Sequence, residues 1–181
     1  MVLFVIFVAK RFSGLFGLKS TMKNKYIWVA SIISSIVALD QYTKHLITDR
    51  MRLFEVITVI PGFFNITYVR NKGAAFSLFA GAPDTFRVVF FISTTVLALV
   101  VIALVIRKTE QRLLIAAFSL VAGGACGNLI DRVRSGEVVD FIQWYVKSWY
   151  WPSFNVADSA ISIGVALLAF DMLFTKKSAE F

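Results

Sequence analysis

Four apolar runs, Tyr26 to about Ile47, Phe86 to Ile106, Leu113 to Ile130 and Val156 to Phe174, alternate with more polar connections along the chain. Each is close to the ~20 residues that an α-helix rising about 1.5 Å per residue needs to cross roughly 30 Å of hydrocarbon, so the pattern predicts four transmembrane helices. The fourth is the weakest by this measure, because Asp158 and Asp171 bracket its charge-free centre. Asp171, shortly before Lys176 and Lys177, reads as an interfacial residue. Between the first two runs the period changes: Phe64, Ile66 and Tyr68 alternate with Asn65, Thr67 and Val69. Two strands are therefore predicted, Glu55 to Ile60 and Phe63 to Arg70, joined by a Pro61-Gly62 turn in a small sheet on the membrane surface. Between the last two runs, Trp144, Tyr145, Trp149, Tyr150, Trp151 and Phe154 crowd one connection. That clustering is the signature of an interfacial aromatic belt, and a loop or short interfacial helix is expected there. The expected architecture is an all-α membrane protein with a small β element, in one domain without internal repeats.

Composition agrees with the pattern. At 58% hydrophobic residues, the chain exceeds the roughly 45–50% of an ordinary soluble domain. Its net charge of +8 is spread between the apolar runs, which suits orientation in a membrane and not a nucleic-acid stripe. Lys10, Arg11, Lys19, Lys23 and Lys25 precede the first run, Arg107, Lys108 and Arg112 join the second to the third, and Lys176 and Lys177 follow the fourth. The two longer loops also carry Arg50, Arg52, Arg70, Lys72, Arg132, Arg134 and Lys147, but with acids among them, so the positive-inside bias places both termini on the cytoplasmic side and these loops outside. Residues 1–21 place Val2 to Ala9 ahead of Lys10 and Arg11, the reverse of a signal peptide. They read as a dispensable extension, with Met22 as a second candidate start, and residues 22–181 as the functional domain. The single cysteine, Cys126, sits inside an apolar run and reads as a small packing residue.

The candidate chemistry lies in carboxylates at one end of the runs: Asp40, Asp131, Asp140 and Asp158. Ionisable groups gathered at one membrane depth make a functional site the default reading. Asp40 and Lys44 stand i, i+4, acid first, which is the favourable order for an ion pair on a helix face. Such pairing keeps the lysine charged and unsuited to be the base of a Ser-Lys peptidase. Gly123, Gly124, Gly127, Asn128, Asp131 and Arg132 end the third run. Small residues there allow close helix contact. Asp131 is expected to pair with the adjacent Arg132, which alternatively grips a lipid phosphate.

Asp140, within Val138-Val139-Asp140-Phe141-Ile142, has no adjacent basic residue, and apolar surroundings favour its protonated form. Asp158 follows Asn155 by three, placing a cap at Asn155 and the carboxylate in the first helical turn, where the dipole favours ionisation. Opposed environments of this kind suit an acid and a base. A capping Asp158 and a plain loop Asp140 fit the residues equally well. The lone His45 has no partners at metal-ligand spacing, and no GxSxG or Cys-His arrangement occurs, so neither zinc nor triad chemistry is supported. A lipid-binding or proton-coupled transport protein is the competing class.

Five motifs together resemble lipoprotein signal peptidase (signal peptidase II), a bacterial family of membrane aspartic peptidases. They are Asp40-Gln-Tyr-Thr-Lys44, Asn71-Lys-Gly73-Ala-Ala-Phe76, Gly123-Gly124-Ala-Cys-Gly-Asn128-Leu-Ile-Asp131-Arg132, Val138-Val-Asp140-Phe141 and Phe154-Asn155-Val-Ala157-Asp158-Ser159. The resemblance implies a catalytic dyad of Asp140 and Asp158. Asp40, Lys44, Asn71, Gly73, Gly124, Asn128, Asp131, Arg132, Asn155 and Ala157 match positions that shape or support the site. It further implies an inner-membrane enzyme with its site facing outward and a sheet that cradles substrate. Diacylglyceryl-modified prolipoproteins would be cut just before the modified cysteine, with no metal or organic cofactor. Membrane lipid is the other expected partner, nucleic acid is not one, and a monomer is expected.

Overall fold

The computed structural model describes residues 24–73 and 83–174. The N-terminal extension, Ala74 to Phe76 of the second motif, and Lys176 and Lys177 lie outside the described residues. The elements in order are α1 (Lys25–Arg50), β1 (Val56–Ile60), β2 (Phe64–Asn71), α2 (Asp84–Lys108), α3 (Arg112–Ser135), β3 (Val138–Val146), β4 (Trp149–Tyr150) and α4 (Val156–Phe174).

Among the described residues, three helices, α2, α3 and α4, are long and apolar enough to cross a membrane. α1 has the length, at 26 residues, but Ser31, Ser34, Ser35, Asp40, Gln41 and Lys44 interrupt its apolar run. Most of the buried core joins α2, α3 and α4: Ile102, Val105 and Ile106 meet Leu114, Phe118 and Val121, with Leu168 closing from α4. α3 runs through the middle, buried on successive turns from Leu114 to Asp131. Its closest approach is to α4 at Gly124, where a Cβ would stand 2.2 Å from the Ala157 carbonyl oxygen. Only glycine permits that backbone contact, and it carries the start of α4 directly against α3. At the opposite end Lys25 ties α1 to the α2–α3 turn, donating to the Thr109 carbonyl at 2.9 Å and pairing with Glu110 at 2.9 Å. Asp171, expected at an interface, is instead buried at 5% exposure. Its position on the inward side of α4 outweighs its closeness to the helix end.

The two expected strands form, but the sheet has four, in the order β1-β2-β3-β4. The aromatic connection is therefore neither a loop nor an interfacial helix. Val138–Val146 pairs antiparallel with β2, and Tyr145 pairs with Tyr150 across the β3–β4 hairpin. Asn71 opposes Val138, and Val69 opposes Asp140 beyond an irregularity between Ile66 and Val69. Such shifts re-aim side chains, and here the end of β2 delivers Asn71 onto Asp140. The signal for β3 is obscured in the sequence because its polar residues, Asp140 and Gln143, break a two-residue alternation.

The α1–β1 connection is a tight turn. Glu55 N–H donates to the Arg52 carbonyl at 2.9 Å, Phe54 N–H to the Tyr68 carbonyl at 2.8 Å, and Phe54 adopts φ 67°. A left-handed conformation costs a residue with a Cβ about 1–2 kcal/mol.

Candidate active site

Lys44 is the hub of a buried polar array between α1 and α3. Its ammonium lies 2.9 Å from Asp40 and 2.8 Å from Asp131, and donates to Asn128 Oδ1 at 3.0 Å. Three donors thus meet three acceptors, which is all a lysine has to give. Asp40 is fully buried and Lys44 is 3% exposed, so the pair survives desolvation only because these partners satisfy it. The i, i+4 pairing of Asp40 and Lys44 forms as expected.

Asp131 departs from expectation: its partner is Lys44, reinforced by Gln41, which donates to it at 2.8 Å. Residues adjacent on a helix point to different sides, so Arg132 is aimed away. Its guanidinium sits 5.2 Å from the Phe91 ring centre and donates to the Asn128 carbonyl at 3.4 Å. Gln41 also donates to the Gly127 carbonyl at 3.2 Å. Sequence reasoning misses this residue, because an amide beside a conspicuous Asp-Lys pair carries no signal of its own.

From this hub three asparagines lead to the other carboxylates, and each is oriented by a group that can only donate. Lys44 holds Asn128 Oδ1, so its NH₂ turns to Asp158 Oδ1 at 2.8 Å. Asp158 N–H donates to Asn155 Oδ1 at 2.9 Å, so that NH₂ turns to Asp140 Oδ1 at 2.7 Å. Gly73 N–H donates to Asn71 Oδ1 at 2.8 Å, and the Asn71 NH₂ reaches Asp140 Oδ2 at 3.0 Å. Gly73 makes that return bond with φ 101°, a left-handed turn in which glycine carries no penalty. The expected cap on α4 is present: Asn155 N–H also donates to Asp158 Oδ2 at 3.3 Å, reciprocating the bond above. Ala157 N–H donates to Asp40 Oδ1 at 2.9 Å, which fixes the helix start from α1.

The carboxylates thereby divide into two kinds. Asp40 and Asp131 face the Lys44 ammonium, whereas Asp140 and Asp158 each receive two neutral amide donors and both line one open cleft. The cleft measures about 1040 Å³ and is also lined by Trp144, Trp151, Phe154, Arg70 and Lys72. Asp140 has its pKa raised to about 7, first by burial and then by the charge of Asp158, while the Asn71 and Asn155 hydrogen bonds and the Lys44 charge pull the other way. Among the described residues no cluster of His, Cys, Asp or Glu could hold a metal ion. His45 is exposed on α1.

The family model described as signal peptidase (SPase) II matches residues 32–174, a stretch that contains both kinds of carboxylate. The chain belongs to the signal peptidase II family. It is 54% identical over 155 residues to a lipoprotein signal peptidase of Geobacter sulfurreducens, covering 84% of this chain and 95% of that one. The corresponding protein of Geobacter metallireducens is 49% identical over 154 residues, 84% of this chain and 94% of that one. A bacterial membrane enzyme solved by the in meso method at 2.3 Å superposes with a TM-score of 0.75 at 36% identity, over 84% of this chain and 91% of that one. Another, solved at 1.9 Å, gives 0.72 at 38%, over 81% and 92%. As a signal peptidase II the chain is a bacterial membrane protein and an aspartic peptidase that removes signal peptides from prolipoproteins.

Proposed function

We propose that Asp140 and Asp158 are the catalytic pair, and that they cut just before a diacylglyceryl-modified cysteine. The carrying observation is the division of the carboxylates: among the described residues, Asp140 and Asp158 are the carboxylates that border the cleft, and their hydrogen-bond donors are amides, with no cation in ion-pair contact. An ammonium partner would hold both ionised and leave no acid. Amides allow one proton to be shared, so Asp158 serves as base and Asp140 as acid. Asp158 takes a proton from water as the water oxygen attacks the scissile carbonyl carbon, and Asp140 gives its proton to the carbonyl oxygen. The tetrahedral intermediate then collapses: Asp140 takes back a proton from one of its hydroxyls as the carbonyl re-forms, the C–N bond breaks, and the leaving amine takes the proton held by Asp158. No covalent enzyme intermediate, metal or organic cofactor takes part.

The enzyme's depth follows from reading α1 as a fourth span, with both termini on the cytoplasmic side and the sheet and cleft outside the inner membrane. One domain, acting as a monomer, meets its substrate there. The Asp140 carboxyl must be protonated to act as acid, so activity falls as pH rises through about 7. A kcat/KM profile in a fixed detergent checks this, and a plateau extending to about pH 9, well past the range in which the acid ionises, contradicts the acid role.

Lipid sets the substrate's position. Burial of acyl chain at ~0.8 kcal/mol per methylene supplies enough binding energy to hold the scissile bond at one depth. The decisive test compares kcat/KM for one precursor with and without its diacylglyceryl group. A large advantage for the modified form is expected; equal values reject recognition through lipid. Every motif follows Met22, and Lys23 and Lys25 remain to orient the first helix. Protein beginning at Met22 should therefore insert and cleave at the full-length rate, and failed insertion would make residues 1–21 an anchor.

A further inference from the structure

The edge of the sheet poses a problem that the catalytic reading leaves unsolved. All five residues of β1 are exposed, and four of them are apolar: Val56, Ile57, Val59 and Ile60. A bare edge strand that is apolar on both faces invites aggregation in water, and soluble proteins blunt such edges with charge or cover. The preceding turn is more extreme. Phe54 is 72% exposed, its backbone N–H is tied to Tyr68, and its φ of 67° is one that glycine or asparagine adopts more easily. A strained conformation that projects an aromatic ring outward points to something that receives the ring.

Connectivity identifies the receiver. Only Met51 to Glu55 separate α1 from β1. Met51 N–H still donates to the Ile47 carbonyl, and Glu55 N–H folds back on Arg52. α1 is about 39 Å long at 1.5 Å per residue, against roughly 30 Å of hydrocarbon, so its end emerges within the headgroup layer. Phe54 and β1 begin there. Arg50 and Arg52, both exposed, precede Phe54 in the chain beside Asp49 and Glu55, and their long side chains suit lipid phosphates.

We infer that Phe54 and the β1 edge enter the outer interfacial layer of the bilayer and anchor the sheet at a set height above it. This rests on the reading of α1 as a span with the sheet outside. Asp140 lies on the same sheet, two strands away, so the anchor fixes the height of the acid relative to a lipid-held scissile bond. The partner is lipid, not a second copy of the chain or the substrate peptide.

Depth can be measured independently of cleavage. With Cys126→Ala removing the native thiol, nitroxides are placed at Phe54→Cys, Ile57→Cys and Glu55→Cys in vesicles of phosphatidylethanolamine and phosphatidylglycerol. Labels at 54 and 57 should collide more with oxygen and several-fold less with a water-soluble nickel chelate than the label at 55. Free access of the chelate at 54 and 57 overturns the inference, as does spin–spin broadening between copies or protection appearing only with added precursor. Phe54→Asn tests the consequence, since asparagine accepts the left-handed backbone and spares the fold. Its kcat/KM on lipid-modified precursor should drop about tenfold in vesicles, the scale of losing one buried aromatic anchor, and stay near wild type in detergent micelles. An equal drop in both settings, or none in vesicles, defeats it. If cleavage itself proved absent, the labels would still report the depth.

Discussion

Asp140→Asn and Asp158→Asn should each reduce turnover of a lipid-modified precursor by at least ~10²–10⁴-fold, the range that a positioned acid or base contributes. An amide keeps the size of the carboxyl but neither takes a proton from water nor gives one to a carbonyl oxygen. The hydrogen bonds also predict how each variant adapts. In Asp140→Asn the side-chain oxygen still accepts from Asn155, but the new NH₂ faces the Asn71 NH₂, which cannot rotate away without losing Gly73. In Asp158→Asn the new NH₂ likewise turns toward either the Asn128 NH₂ or the Asn155 N–H. Modest destabilisation is therefore expected, and turnover must be measured on protein shown to be folded and to bind precursor. Wild-type turnover in either variant would remove the assignment of the pair.

The second large effect is on stability. Lys44→Met should destabilise the protein by about 3–5 kcal/mol, because it leaves two buried carboxylates without their cation. Asp131→Asn should cost less, since Lys44 keeps Asp40 and Asn128 as partners. Thermal unfolding in detergent, read beside the activity of the folded fraction, separates this from chemistry. A Lys44→Met protein with wild-type stability and no activity would make the lysine a catalytic group and overturn its placement as a structural hub. An Asp131→Asn protein that is stable but inactive would mean that the wrong carboxylate had been assigned to the chemistry.

Patterns carried by neighbouring residues are legible in the chain: the apolar lengths of α2, α3 and α4, the β1–β2 hairpin, the Asp40–Lys44 pair and the reciprocal cap of Asn155 and Asp158. In each the partners lie within a few residues, where helix and strand periods alone set who meets whom. The motifs also identify the family, because their order along the chain requires no coordinates.

Which acid receives the cation and which receive amides depends on contacts between distant elements. Asp131 has a sequence neighbour, Arg132, yet its cation comes from Lys44 on another helix. The Asn71 bond to Asp140 exists only because the aromatic connection forms β3 beside β2, an outcome that local propensity does not signal. Gln41 and buried Asp171 belong here too. Their roles come from contacts between elements far apart in the chain. The charge state of a buried group is set by those contacts and by the water they exclude, neither of which is a property of the residues next to it.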